Sequence, residues 1–172
     1  MGAKGRFADD LSVIMIRSPM TIAPTVINDL PNLIEQALDL GDEAVADLVR
    51  KHALAIAQDD KLIKSIINFY ITNKSYAIGY EIAVALLKAL PFSNKLLYYT
   101  SYLARKAGSL AEGAELGERL RHREPLYLPN LLNLCYTYIK TGNQKRAKFM
   151  HDKAATIEPD NKHIKILAQA LA

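Results

Sequence analysis

Three prolines stand at a constant interval in the second half of the chain, and this spacing constrains the fold more than any other feature. Pro91, Pro125 and Pro159 follow one another at steps of 34 residues. Proline ends a helix because it has no backbone N–H and restricts the residue before it to extended conformations. A helix terminator at a fixed interval predicts a repeated structural unit rather than one irregular core.

Residues 128–159 show what the repeated unit is. Apolar residues at spacings of three and four mark one face of a first helix: Leu131, Leu134 and Tyr138. Gly142 interrupts this pattern and predicts a tight turn, after which Asn143 can cap a second helix. The corresponding face of the second helix holds Ala147, Met150, His151 and Ala154. The unit is therefore predicted to be a pair of short antiparallel helices.

The same unit recurs when the prolines are aligned at its position 32, which starts the units at Asp60, Asn94 and Leu128. Position 4 is large and apolar throughout, with Ile63, Leu97 and Leu131. Position 20 is small throughout, with Gly79, Gly113 and Ala147. Position 8 is small in the second and third of these units, with Ser101 and Cys135, but holds the large Ile67 in the first. Small residues at both positions predict closely packed helices, because side-chain bulk at a crossing sets the distance between axes.

This pattern resembles the tetratricopeptide repeat family, whose period is 34 residues. The resemblance covers roughly residues 60–172 and implies an all-α fold, a right-handed α-solenoid of antiparallel helix hairpins. We expect a helical repeat domain over residues 25–172, with units near 26–59, 60–93, 94–127 and 128–161 and a cap helix over 160–172. Stacked hairpins of this kind bury their apolar faces against their neighbours as one continuous core.

The first of these units is expected to be degenerate. Pro31 suits the first turn of a helix that Gly41 ends, and Asp42 is expected to cap a second helix over residues 43–57. Counting back from the later units places this hairpin about one residue out of register. Ala57 stands where the later units have proline. Terminal units are often atypical because one of their faces meets solvent.

Local signals predict the ends of the other helices. Helices are expected over residues 61–72, 76–90, 94–107, 110–121 and 162–171. Their predicted N-caps include Asp59, Ser75, Ser93 and Asn161. Basic residues at 121–123 complement the dipole at the end of their helix.

Residues 1–24 are expected to form an N-terminal arm or a short packing segment. Their main feature is an apolar run at 11–16, preceded by Asp9 and Asp10. The run is too short for a secretory signal and follows acidic rather than basic residues. Two placements are open to it, against the first hairpin or in the protein's own groove. No stretch reaches the ~18–20 apolar residues of a membrane span, so no span is expected and the cytoplasm is the default location.

The sequence contains no recognisable catalytic arrangement, and we expect no enzymatic activity, cofactor or metal. The histidines His52, His122, His151 and His163 fall on different elements without a known metal-ligand spacing. Cys135 has no second cysteine to pair with and is expected to be a small packing residue. His151 lies at an apolar position of its unit and is expected to be a core or half-buried residue. The glycines at positions 113 and 117 are expected to mark close helix contact rather than a phosphate loop.

Tetratricopeptide arrays bind extended peptides on a concave face, and the resemblance assigns its lining to positions 2, 5, 6, 9, 12 and 13 of each unit. The candidate residues are Lys61, Lys64, Asn68, Lys95, Tyr98, Tyr99, Tyr102, Arg105, Asn133, Tyr136 and Lys140. These positions are rich in tyrosine and basic residues and hold no Asp or Glu. Asn68 and Asn133 are expected to hold a peptide backbone. The alternative is that the lysines are merely solvated and the tyrosines pack between hairpins.

A carboxylate clamp of the kind that binds chaperone C-termini is incomplete in this sequence. Lys64 and Asn68 match its first pair of residues. Tyr99, Pro129 and Asn133 stand where the clamp needs other side chains. We therefore expect no complete clamp.

The sequence favours a protein-interaction scaffold that binds an extended, acidic or aromatic-bearing peptide in a basic, tyrosine-rich concave groove. The alternative is a substrate-recognition or assembly region of a larger enzyme or secretion machine, including a chaperone-like role in secretion. RNA binding is a third alternative, since tyrosines beside lysines suit base stacking, but a net charge of +4 is small for it. A homo-oligomer formed through the apolar end helix is a further alternative.

Overall fold

The computed structural model describes residues 29–172, in which the regular elements are nine α-helices without a strand. They are α1 (Leu30–Leu40), α2 (Asp42–Ala57), α3 (Asp60–Thr72), α4 (Tyr76–Ala89), α5 (Asn94–Ala107), α6 (Leu110–Arg123), α7 (Leu128–Lys140), α8 (Gln144–Ile157) and α9 (Lys162–Leu171). This part of the chain is all-α, as the sequence predicts. None of these helices is long and apolar enough to cross a membrane. The predicted N-terminal arm, residues 1–24, lies outside the described residues.

The predicted helix ends agree with the structure to within two residues. Four predicted N-caps accept a hydrogen bond from a backbone N–H of the following turn: Asp59, Ser93, Asn143 and Asn161. Two predicted caps are wrong. The side chain of Ser75 precedes α4 but forms no capping bond, and Asp42 is the first residue of α2. The turn before α2 is made by Gly41 without a side-chain cap. Its φ of +107° is a backbone conformation that glycine adopts readily.

Every two helices that are consecutive along α1–α9 pack against each other. Alternate helices also meet, since α7 contacts both α5 and α9. In the N-terminal region a different pair of alternate helices packs most extensively, since α2 contacts α4 more broadly than α3 does. The groove described below therefore lies in the regular part of the structure, between α5 and α7.

Apolar side chains form two separate clusters. The first lies within α1–α5 and includes Ile34, Val49, Ile66, Ile82 and Leu86. The second lies within α7–α9 and includes Leu134, Cys135, Met150 and Leu167. Helix α6 stands between them and buries Gly113, Gly117 and Leu120.

A layer of buried polar side chains lies where α5, α6 and α7 meet. Its members are Ser101, Arg105, Asn130, Asn133 and Thr137. Thr100 is also buried but faces α4, with Oγ1 at 3.3 Å from the carbonyl oxygen of Ala83. Ser101 Oγ donates to the carbonyl of Gly113 at 2.8 Å and accepts from Asn133 Nδ2 at 2.8 Å. Asn130 Nδ2 donates to the carbonyl of Gly117 at 2.8 Å. Because buried polar groups need partners, these bonds fix how the three helices meet.

The prediction that Gly113 and Gly117 mark close helix contact is confirmed. A Cβ on Gly113 would lie 3.2 Å from both the backbone nitrogen of Arg105 and the carbonyl oxygen of Ser101. A Cβ on Gly117 would lie 2.7 Å from Cδ2 of Leu134. A side chain at Gly113 would push α6 away from the backbone of α5, whereas one at Gly117 would force the side chain of Leu134 to move.

Two further packing predictions are confirmed. Cys135 is fully buried, its Sγ donates to the carbonyl of Ala147 at 3.2 Å, and burial raises the pKa of the thiol to about 11. His151 is half-buried, with Nε2 at 3.2 Å from the carbonyl oxygen of Ile164. Both residues contribute to the contacts of α8 with its neighbours.

Candidate functional site

A groove of about 610 Å³ opens between α5 and α7 and ends at the start of α9. It is called the ligand groove below. Five residues predicted from the sequence line it: Tyr98, Tyr102, Arg105, Asn133 and Tyr136. Lys106, Pro129 and Leu132 also line it and stand at predicted lining positions of their units, and the remaining lining residues are Leu128, Glu158, Asn161 and His163. The ligand groove is thus formed by one face of α5 and one face of α7, which the repeat pattern aligns. The loop before α9 and the start of α9 complete it.

Arg105 is the charged centre of the ligand groove, although it is only 9% exposed. Its Nε donates to Asn133 Oδ1 at 2.6 Å, and its Cζ lies 5.1 Å from the ring centre of Tyr102 and 5.2 Å from that of Tyr136. Within residues 29–172, no carboxylate forms an ion pair with it. Burial lowers the pKa of the guanidinium, and the surrounding phenols partly oppose this effect. The charge is therefore buried and fixed, without an acidic partner in the described chain.

Helical spacing brings these groups together. Tyr102 and Arg105 are three residues apart on α5, and Asn133 and Tyr136 are three apart on α7, so each pair shares a helix face. Asn133 is in turn held by Ser101 Oγ, which is itself bonded to a carbonyl of α6. The polar layer between the two apolar clusters therefore sets the position of the guanidinium.

Aromatic rings continue from Arg105 along α5. The ring centre of Tyr98 lies 6.3 Å from that of Tyr102 and 5.5 Å from that of Tyr127, which it meets edge-on. Burial, followed by the nearby phenols of Tyr127 and Tyr102, raises the pKa of Tyr98 to about 12. The hydroxyl of Tyr98 is protonated at neutral pH, as that of an ordinary tyrosine is, and can donate to a ligand.

A smaller pocket of about 250 Å³ adjoins the ligand groove at Tyr98. Its lining residues are Asn94, Lys95, Tyr98, Tyr99, Glu124 and Tyr127. Lys95 Nζ lies 2.5 Å from a carboxylate oxygen of Asp60, and Glu124 accepts from Asn94 Nδ2 at 2.5 Å. The charges of this pocket thus have partners within the protein, unlike the guanidinium of the ligand groove.

Four predicted site residues lie outside both cavities. Lys61, Lys64 and Asn68 are exposed on α3, and Lys140 is exposed as the last residue of α7. The structure thus brings together the predicted residues of α5 and the middle of α7. It does not bring the α3 residues into the same cavity.

Two features of the ligand groove differ from the sequence-based expectation. Asn133 is 3% exposed and uses its amide to bond Arg105 and Ser101, so it positions the guanidinium rather than facing a peptide. The groove also contains an acid, Glu158, whose carboxylate accepts from Asn161 Nδ2 at 2.8 Å. Glu158 belongs to the loop before α9, whereas the lining positions predicted from the sequence all lie on the first helix of a unit.

His163 is a lining residue that was not among the predicted ones. Its Nδ1 lies 3.2 Å from the hydroxyl of Tyr136, and the two rings meet edge-on. One more step of 34 residues places His163 at unit position 2, the position of Lys61 and Lys95. Extending the repeat into the cap helix would have identified it.

No group of three or more His, Cys, Asp or Glu side chains within residues 29–172 is placed to hold a metal ion. Comparison of the sequence with protein-family models and with curated proteins gives no match. The resemblance to tetratricopeptide repeats therefore rests on the residues of this chain.

Proposed function

We propose that the protein is a non-catalytic, cytoplasmic interaction scaffold that binds an extended acidic peptide in the ligand groove. Its proposed architecture is a right-handed α-solenoid of about four tetratricopeptide-like hairpins, closed by α9 as a cap. The 34-residue proline period supports this architecture, as do the packing of consecutive helices and the contacts of α7 with α5 and α9.

The charge of Arg105, which has no carboxylate partner within residues 29–172, carries the proposal. Moving an ion out of water costs several kcal/mol in proteins unless a partner compensates. Asn133 and the two tyrosine rings compensate in part, because none of them carries a full negative charge. The hydrogen bond that Arg105 forms within residues 29–172 uses Nε, which leaves its two Nη atoms for a ligand. A peptide carboxylate at this point would supply the missing charge and accept two parallel hydrogen bonds.

The walls of the ligand groove favour aromatic or apolar side chains next to that acid. They are formed by Tyr98, Tyr102, Leu132, Tyr136 and Pro129. Tyrosine supplies a large rigid contact surface at low entropic cost, and its hydroxyl can bond a peptide backbone. Glu158 disfavours a second acid at the α9 end, so the preferred ligand carries its acid opposite Arg105.

Fluorescence anisotropy with two labelled peptides tests this function. One peptide alternates Asp and Phe, and in the other Lys replaces every Asp. We expect the acidic peptide to bind more tightly. Arg105→Gln should weaken its binding about tenfold or more, because a hydrogen bond to a charged group contributes about 1.5–3 kcal/mol.

Lys140→Gln is the matched control, since it removes the same charge from a candidate residue outside the groove. Far-UV circular dichroism checks that both variants fold. Equal affinity for the two peptides, or equal losses in the two variants, would contradict the proposal. A labelled oligouridylate serves as a third probe, and its tight binding at low salt, lost in Arg105→Gln, would favour RNA instead.

A further inference from the structure

A second groove, of about 450 Å³, lies between α4 and α6. Its apolar floor consists of half-buried side chains: Tyr80, Val84 and Leu87 from α4 and Leu116 from α6. Thr100 of α5 lines this second groove, whereas Tyr98 and Tyr102 line the ligand groove. Residues two apart point about 200° apart around a helix axis, so the two grooves open on different faces of α5.

Charges of opposite sign mark the two ends of the second groove. Glu112 and Glu115 lie near Tyr80, whose pKa is raised by burial and then by these two carboxylates. Lys88 and Arg119, toward the C-terminal ends of α4 and α6, line the other end. Within residues 29–172, none of these four side chains forms an ion pair. The groove therefore offers a basic end, an apolar floor and an acidic end in that order.

One segment of the chain outside the described residues has the complementary order. Residues 9–17 read Asp-Asp-Leu-Ser-Val-Ile-Met-Ile-Arg, which places two acids before a mainly apolar run and a base after it. Complementary charges at both ends of a groove select the direction of a bound segment as well as its position. The charge order of this segment matches that of the second groove in one direction only.

We propose that residues 9–17 dock in the second groove of their own chain. Asp9 and Asp10 lie toward the basic end, Arg17 lies toward the acidic end, and the apolar run at 11–16 covers the floor. Docking removes both apolar surfaces from water, which is the main favourable term for such contacts. The proposal does not involve the ligand groove and stands independently of the proposed peptide binding.

The connection from the segment to α1 is long enough for this placement. Residues 18–28 are eleven residues and span at most about 36–40 Å when extended. Helix α1 packs on α2, and α2 packs on α4, which borders the groove. Packed helix axes lie about 8–10 Å apart, so two such steps cover about 16–20 Å.

Hydrogen–deuterium exchange of the 172-residue chain tests the proposal. We expect amides 11–16 to exchange about tenfold or more slowly than in an unstructured peptide of the same sequence. Arg17→Glu should abolish this protection, and so should the double reversal Glu112→Arg with Glu115→Arg. Combining all three reversals should restore it, because the charges are then complementary again.

A matched control reverses two exposed carboxylates elsewhere, Glu35→Arg with Asp39→Arg on α1, and should leave the protection unchanged. The proposal would be overturned by rapid exchange in the wild type, by protection that survives both charge reversals, or by protection that the control also removes. Protection that grows with protein concentration would assign the groove to a second copy's segment, and protection lost in Arg105→Gln would assign the segment to the ligand groove. Either would overturn the intrachain placement.

Discussion

The contact between α3 and α4 and the contact between α5 and α6 meet the same packing requirement with different side chains. Position 20 is glycine in both, Gly79 and Gly113. In the first contact, position 8 is Ile67, and a Cβ on Gly79 would lie 2.8 Å from Cβ of Tyr70. In the second contact, position 8 is Ser101, and a Cβ on Gly113 would lie 3.2 Å from backbone atoms of α5. One contact is filled by large side chains, and the other brings two backbones together.

The difference shows what a small polar residue at position 8 makes possible. Ile67 belongs to the first apolar cluster and offers no hydrogen-bonding group to its neighbours. Ser101 bonds α6 within its own hairpin and accepts from Asn133 of the next one, which holds Arg105. The first contact only stabilises the fold. The second also positions the charge of Arg105, on which the proposed function depends.

The largest effect is expected from Ile67→Ser, which gives the first contact the polar residue of the second. It should lower the free energy of unfolding by about 3–5 kcal/mol, because it leaves a cavity and buries an unmatched hydroxyl. Urea unfolding measures the change. Ser101→Ala is the comparison and should cost about 1–2 kcal/mol through the lost hydrogen bonds. Equal losses in the two variants would contradict the distinction between the contacts.

The next largest effect is expected at Asn133. Asn133→Leu should cost about 2–3 kcal/mol, because Arg105 Nε and Ser101 Oγ both lose a buried partner. Adding Arg105→Leu should recover part of this loss, because it removes the buried guanidinium that Asn133→Leu leaves without its hydrogen-bond acceptor. A double-mutant cycle measures the coupling between the two positions. Additive losses would mean that the amide does not hold the guanidinium.

The sequence predicts the helix ends and the close contact at Gly113, but it does not predict the burial of Arg105. Helix ends such as those at Ser93 and Asn143 depend on signals within one turn, so the sequence predicts them directly. The close approach at Gly113 follows from the repeat period. The burial of Arg105 depends on a bond to Asn133, 28 residues away, and the repeat pattern assigned both residues to an open face. The repeat period does not determine which side chains on different helices bond to each other.

Alkaline pH should weaken both regions through their buried tyrosines. Burial raises the pKa of Tyr98 from its ordinary 10.0 to about 12 and also raises that of Tyr70. Between those values the unfolded chain loses protons that the folded protein keeps, so the free energy of unfolding falls as the pH rises above about 10. The full stabilisation is present below that pH. Burial raises the pKa of the Cys135 thiol as well, which adds a loss that begins near its ordinary value of 9.0.

Tyr98→Phe should reduce the alkaline loss by on the order of 1–2 kcal/mol, because phenylalanine has no proton to lose. Urea unfolding at pH 8 and at pH values of about 10 and 11.5 measures the slope. Tyr99→Phe is the matched control on the same helix. A slope that is unchanged in Tyr98→Phe would contradict the burial of this phenol in the folded protein.

The smallest effect concerns how α4 and α5 begin. Ser93 Oγ accepts from the backbone nitrogen of Leu96 at 3.2 Å, whereas the side chain of Ser75 forms no capping bond. Ser93→Ala should therefore cost about 1 kcal/mol and lower Tm by about 2–4 °C, while Ser75→Ala should stay within about 0.5 kcal/mol. Differential scanning calorimetry measures both. Helix α4 is held by apolar packing around Gly79, so its start does not depend on a serine, whereas α5 relies on its cap. Equal shifts in the two variants would contradict this difference between the two serines, because Ser75→Ala removes no capping bond.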